Sequence, residues 1–227
     1  MGRFFQAGKI SNMAQTGPSK DQPPSQTPCS PHVKTTKKLL GALGNGRAHL
    51  CLWVTAAMGL AADLISKQWA VNTIGNPDQI DFFDPGTMLK PIVIIENYLR
   101  FNTVHNTGAV AGMAAGKTTL LVVASVAAVV FLFWLFATSR PSQWLTHIAL
   151  GMLFAGALGN MYDRIFNQGK VIDFIEVNLH VWPANPWPTF NVADIFLCVG
   201  VVILLLTLLG SRAQSLPQKS SNTDHVN

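Results

Sequence analysis

"PSQWLTHIALGMLFAGALGNMYDR" (residues 141–164) carries no Asp, Glu, Lys or Arg from Pro141 to Tyr162, then ends on Asp163 and Arg164, with Asn160 just before them. A helix over this stretch rises about 1.5 Å per residue and reaches across a hydrocarbon core of about 30 Å. Polar and ionisable groups at the edge of hydrocarbon are costly, so their presence marks a protein interior or a functional site. Ala155, Gly156, Ala157 and Gly159 leave one face of the helix thin enough for another helix to approach closely.

The same reading extends in both directions along the chain. Thr118 to Ser139 is a second uncharged run, bounded by Lys117 and Arg140. "FNVADIFLCVGVVILLLTLLG" (190–210) is a third, and it too opens on polar residues, Asn191 and Asp194. Ala48 to Trp69 is a fourth, weaker because it holds His49, Asp63 and Lys67. Hydrophobic residues make up 49% of the 227 and charged residues 12%, about half the charged share of a soluble domain. The expected class is all-α membrane, with four transmembrane helices at about 48–69, 118–139, 141–162 and 191–211. A cleaved signal peptide is the alternative for the first segment. Its length, and the i,i+4 placement of Asp63 and Lys67 on one face, favour an uncleaved span.

The net charge of +5 follows topology and gives no nucleic-acid signature. Arg3, Lys9, Lys20, Lys34, Lys37, Lys38 and Arg47 precede the first span, and Arg212 and Lys219 follow the last. Asp78, Asp81, Asp84, Glu96, Asp173 and Glu176 fall in the two loops on the other side. The positive-inside rule then puts both termini in the cytoplasm. Residues 1–34, rich in Gly, Pro, Ser and Gln, read as a disordered cytoplasmic tail, as do 213–227, with the membrane domain over 35–212. "PIVIIENYLRFNTVHNTG" (91–108) predicts a small extracytoplasmic β element between helices 1 and 2, turning at "ENY". "KVIDFIEV" (170–177) alternates partly and adds a candidate strand. Cys29, Cys51 and Cys198 form no disulfide framework, and His105, His147 and His180 have no metal-ligand spacing. No metal and no cofactor are expected.

With the N-terminus inside, Asp163 and Asp194 both fall at the outer boundary of the hydrocarbon, and Asp63, Lys67 and Asn106 lie at a similar level. Each has a structural explanation alone: a pair with Arg164 for Asp163, a helix-start position for Asp194, an intrahelical ion pair for Asp63 and Lys67. Together the two aspartates suggest chemistry. Carboxylates sharing a partly dehydrated site do not both ionise, so one keeps its proton and the other serves as base. That is the equipment for hydrolysing an amide with activated water. Asn106, Asn160 and Asn191 are suited to orient water and a carbonyl.

The motifs "DLISK", "HNTGAVAG", "GALGNMYDR", "VIDFIEV" and "WPTFNVAD" occur in the order seen in lipoprotein signal peptidase (signal peptidase II), which the chain resembles over about residues 48–210. The resemblance implies a membrane aspartyl endopeptidase that removes the signal peptide from a prolipoprotein, cutting before a diacylglyceryl-modified Cys. It implies a catalytic pair at Asp163 and Asp194. Asn106, Gly108, Asn160, Arg164, Asn191, Asp63 and Lys67 match motif residues around it. The chain departs from the family's usual N-x-G-A-A-F by reading Val110-Ala111 after Ala109, without the aromatic. The implied setting is the bacterial inner membrane, with the active site at the outer face, membrane lipid around it, and a monomer. A proton-path transporter is the rival reading. Its carboxylates should cross the bilayer, often within inverted repeats, whereas these gather at one level.

Overall fold

The computed structural model describes residues 41–81, 83–108, 116–181 and 187–213. The expected tail at 1–34, the expected tail at 213–227 from residue 214 on, and Val110-Ala111 lie outside the described residues.

Four long helices form, as the hydropathy pattern predicts: α1 (Gly46–Ile74), α2 (Thr118–Thr138), α3 (Trp144–Phe166) and α4 (Val192–Ala213). All four are long and apolar enough to cross a membrane, and the chain is a multi-pass membrane protein. Their outward residues are apolar: Val126, Phe131 and Trp134 on α2, and Val202, Leu205 and Leu206 on α4, are all exposed. An outward apolar surface of this kind suits lipid and not water.

α1 runs further than the expected 48–69. Asn45 caps its start by accepting from the Ala48 N–H at 3.0 Å. The helix stops only at Gly75, whose φ of 122° is open to glycine. α3 is the element against which α1, α2 and α4 all pack. Its small residues make this possible. A Cβ at Gly156 would meet the Ala193 carbonyl oxygen of α4 at 2.5 Å, and one at Gly159 would collide with the Asp63 carboxylate of α1.

The β element has three antiparallel strands in the order β1 (Ile92–Ile95), β2 (Leu99–Asn106), β3 (Val171–Val177). β1 and β2 turn at Glu96 to Tyr98, where Asn97 takes a φ of 65°. β3 joins from beyond α3 and pairs Phe101 with Ile175 and Val104 with Asp173. The sheet rests on the end of α1 through a cluster of Ala70, Ile74, Phe174, Ile92 and Phe101, with the Trp69 ring edge-on to Phe101 at 5.6 Å. A separate core of Leu52, Phe136, Leu150 and Phe154 closes the other half of the bundle. Ile175 also bridges to Phe190, which brings β3 against the first residues of α4.

Candidate active site

Lys67 is among the largest fully buried side chains, at 2% exposure. Its Nζ lies 2.8 Å from Asp63 Oδ2 and 2.8 Å from Asp163 Oδ2, and it donates to Asn160 Oδ1 at 3.2 Å. An ammonium has three donors and no acceptor, so this tripod uses all of them. A buried cation is tolerable only with such pairing, and loss of Lys67 would leave two buried carboxylates without a counter-charge. Asp163 has two further donors, Asn167 Nδ2 at 3.2 Å and the Ile172 N–H at 3.1 Å. Asp63 uses its other oxygen to accept from the Ala193 N–H at 2.8 Å.

Asp194 sits in the first turn of α4, and its partners come from that turn and from α3. Asn191 Oδ1 accepts from the Asp194 N–H at 3.0 Å, while Asp194 Oδ2 accepts from the Asn191 N–H at 3.2 Å. This reciprocal pair is a capping box, with Asn and Asp in place of the usual residues. Asp194 Oδ1 accepts from Asn160 Nδ2 at 2.9 Å. The side chain is half-buried, open enough for water to reach it.

The expected pairing of Asp163 with Asp194 is not the one the side chains adopt. Both lie at the sheet end of the bundle, but Asp163 turns to Lys67 and to the start of β3. The carboxyl facing Asp194 belongs to Asp173, on β3. Asn191 joins the two, donating Nδ2 to Asp173 Oδ1 at 2.6 Å and its backbone N–H to Asp194. Asn106 Nδ2 donates to Asp173 Oδ2 at 3.0 Å, and Asn106 Oδ1 accepts from the Gly108 N–H at 2.9 Å. Asp173 is 3% exposed. Burial, and secondarily the charge of Asp194, push its carboxyl up to about 7, against the lowering effect of the two asparagine amides. Asp173 thus keeps a proton close to neutrality while remaining beside a second carboxylate.

The remaining expected residues converge on the same place. Arg164 donates Nη1 to the Asn160 carbonyl at 3.2 Å and Nη2 to the Gly108 carbonyl at 3.0 Å, tying the end of β2 to α3. His105, beside Asn106, lies with Nδ1 3.0 Å from Asp78 Oδ2, and Lys170 donates to both Asp78 oxygens at 2.8 Å. Lys170 and then His105 hold Asp78 below the usual carboxylate range. Asp173 is not among the residues expected from sequence; the signal that points to it is a charge two residues from Val171 in an apolar strand, and the two share the buried side of "VIDFIEV". Among the described residues no group of three His, Cys, Asp or Glu is placed to hold a metal ion.

Comparison with known proteins adds an independent line. The model of a family described as Signal peptidase (SPase) II matches residues 55–210. A lipoprotein signal peptidase of Clostridium novyi is 35% identical over 151 residues, covering 66% of this chain and 92% of that protein. One of Rhodococcus jostii is 36% identical over 167 residues, covering 71% and 74%. A bacterial membrane enzyme solved by the in meso method at 2.3 Å superposes with a TM-score of 0.60 at 25% identity, over 73% of this chain and 92% of that one.

Proposed function

The chain belongs to the signal peptidase II family, and on that premise we propose that Asp173 and Asp194 form its catalytic pair, with Asp163 a buried anchor. The protein is a membrane endopeptidase that cleaves signal peptides from prolipoproteins. The observation that carries the assignment is the Asn191 link, which donates to both carboxyl groups at once.

Asp194, half-buried and receiving an N–H on each oxygen, is the base. Asp173, buried and protonated near neutrality, is the acid. Asp194 takes a proton from water as the water oxygen attacks the scissile carbonyl carbon. Asp173 gives its proton to the carbonyl oxygen, leaving a neutral tetrahedral diol. The diol then collapses: the proton held by Asp194 passes to the leaving nitrogen, the C–N bond breaks, and Asp173 recovers a proton from a diol hydroxyl. Each carboxyl ends in its starting state, as turnover requires.

The substrate is a precursor whose Cys after the cut carries diacylglycerol, which fixes the depth of its own scissile bond in the membrane. Burying acyl chains contributes about 0.8 kcal/mol per CH₂, and positioning of this kind supplies much of a rate enhancement. The basic segment before α1 supports cytoplasmic termini and a site at the outer face of the inner membrane.

The test is a cleavage assay on a lipidated precursor with purified Asp163→Asn, Asp173→Asn and Asp194→Asn variants. Asp173→Asn and Asp194→Asn should fold, bind precursor and release no product. Asp163→Asn should lose stability while its folded fraction retains measurable turnover. Near-normal cleavage by Asp173→Asn would overturn the assignment.

A further inference from the structure

We infer that Lys67 is a positioning residue for the hydrolysis, acting on Asp194 through the side-chain amide of Asn160. This rests on the assignment of Asp194 as the base. Hydrogen-bond polarity fixes how the amides are turned. An ammonium only donates, so the atom of Asn160 facing Lys67 at 3.2 Å is the carbonyl oxygen Oδ1. The same oxygen accepts from Asn191 Nδ2 at 3.0 Å. Asn191 is itself fixed, because its Oδ1 accepts from a backbone N–H, that of Asp194. Turning the Asn160 amide over would set its NH₂ against two donors and its oxygen against a carboxylate. The amide therefore always presents Nδ2–H to Asp194 Oδ1, at 2.9 Å.

Bonding to Asp63 and Asp163 occupies only two of the three ammonium hydrogens. The third is spent on Asn160, and through it on the base. A cation on the oxygen of an amide polarises it and strengthens its N–H as a donor, as in any hydrogen-bond chain at low dielectric. The relay Lys67–Asn160–Asp194 thus holds Asp194 as the acceptor of the pair and leaves the shared proton with Asp173. Asn106 is oriented in the same manner by the Gly108 N–H. Each amide around the two carboxyls turns its N–H inward because a donor sits behind it.

Cleavage of a lipidated precursor peptide in detergent by Lys67→Gln, Asn160→Leu and the double variant tests the relay. Asn160→Leu keeps both ion pairs of Lys67. Each single variant should lose about tenfold or more in kcat, the scale of a hydrogen bond to a charged group, with KM within about threefold. In the Asn160→Leu background, Lys67→Gln should cost less than about twofold further, because the path it acts through is already cut. Where Lys67→Gln fails to fold, Asp63→Asn/Lys67→Met/Asp163→Asn removes the three charges together, so that no buried charge is left without a partner, and takes its place in the cycle. Retention of kcat within twofold by Asn160→Leu would overturn the inference, as would a full additional loss from the Lys67 change in that background. Asp194→Asn, run alongside, separates the two ideas. If it is inactive while the cycle is additive, the relay fails and the catalytic pair stands.

Discussion

Asp63, on the first helix, accepts the backbone N–H of Ala193 at 2.8 Å, one residue before Asp194. The N-terminal turn of a helix has orphan N–H groups and a partial positive charge, and a carboxylate there is favoured. The start of α4, and with it the proposed base, is thus held by a residue far away in sequence.

Replacing Asp63 by Ala should therefore act at two places. It removes the acceptor of Ala193 and one of the two carboxylates on Lys67. Lys67 keeps Asp163 as its counter-charge, so the cost is chiefly that of the orphaned Ala193 N–H and the emptied volume, on the order of 1–3 kcal/mol. Thermal unfolding in detergent checks it: a melting temperature within a degree or two of wild type would show that the Lys67 tripod contributes little.

The pH dependence follows from Asp173. Its carboxyl is raised from the ordinary 3.8 to about 7 in the folded protein. The native state therefore holds the proton more tightly than the unfolded chain does. This contribution to stability is complete below 3.8 and disappears as pH rises through about 7. Between about pH 5 and pH 8 it amounts to roughly 3 kcal/mol. Asp173→Asn should remove that slope, and should be more stable than wild type at pH 8. Wild-type cleavage should decline above about 7 as the acid is lost. Unfolding curves at the two pH values decide the first point, and a rate profile the second.

Gly159→Ala is small on paper and should be severe. The added methyl has no space beside the Asp63 carboxylate, so α1 and α3 must part or Lys67 must lose a partner. Overpacking of this kind costs about 1–3 kcal/mol, measurable as a drop in midpoint for unfolding. Gly44, where a Cβ meets nothing within 4 Å, serves as the control and should accept Ala freely.

A precursor with Ser in place of its lipid-bearing Cys should insert in the membrane and stay uncut. Without acyl chains nothing fixes the scissile bond at the level of the carboxyl pair. Processing of that precursor at a rate near that of the lipidated one would show that the enzyme reads peptide sequence alone.

The four helices were legible in the sequence because hydropathy is a property of composition over twenty residues. α2 needs nothing beyond its own uncharged run. The convergence of Asp63, Lys67, Asn160, Asn191 and Asp194 was legible too, since the length of a span fixes the depth of its ends. Which carboxyl turns toward Asp194 was not. Depth places Asp163 and Asp194 at one level, but rotation about the helix axis is set by packing. Gly159 brings α1 in, and Lys67 then claims Asp163. β3 supplies Asp173 from a strand whose pairing with β2 spans residues 99–177, a relationship that no local pattern encodes.

The Lys67 tripod also bears on how the protein comes to exist in the membrane. α1 carries a cation with only one carboxylate of its own nearby, and α3 carries Asn160 and Asp163 without a cation on the face they share. Apart, α1 has only its own Asp63–Lys67 pair, and Asp163 of α3 lacks the Lys67 ammonium, at the edge of the hydrocarbon where an unpaired polar group is costly. Docked, Lys67 reaches Asp163 at 2.8 Å and Asn160 at 3.2 Å, and all three ammonium hydrogens have an acceptor. The first span must therefore meet the third before this cluster is complete, and their pairing fixes Asn160 beside the proposed base. A chain that fails to bring them together leaves Asp163 without its ammonium partner and the third ammonium hydrogen without Asn160.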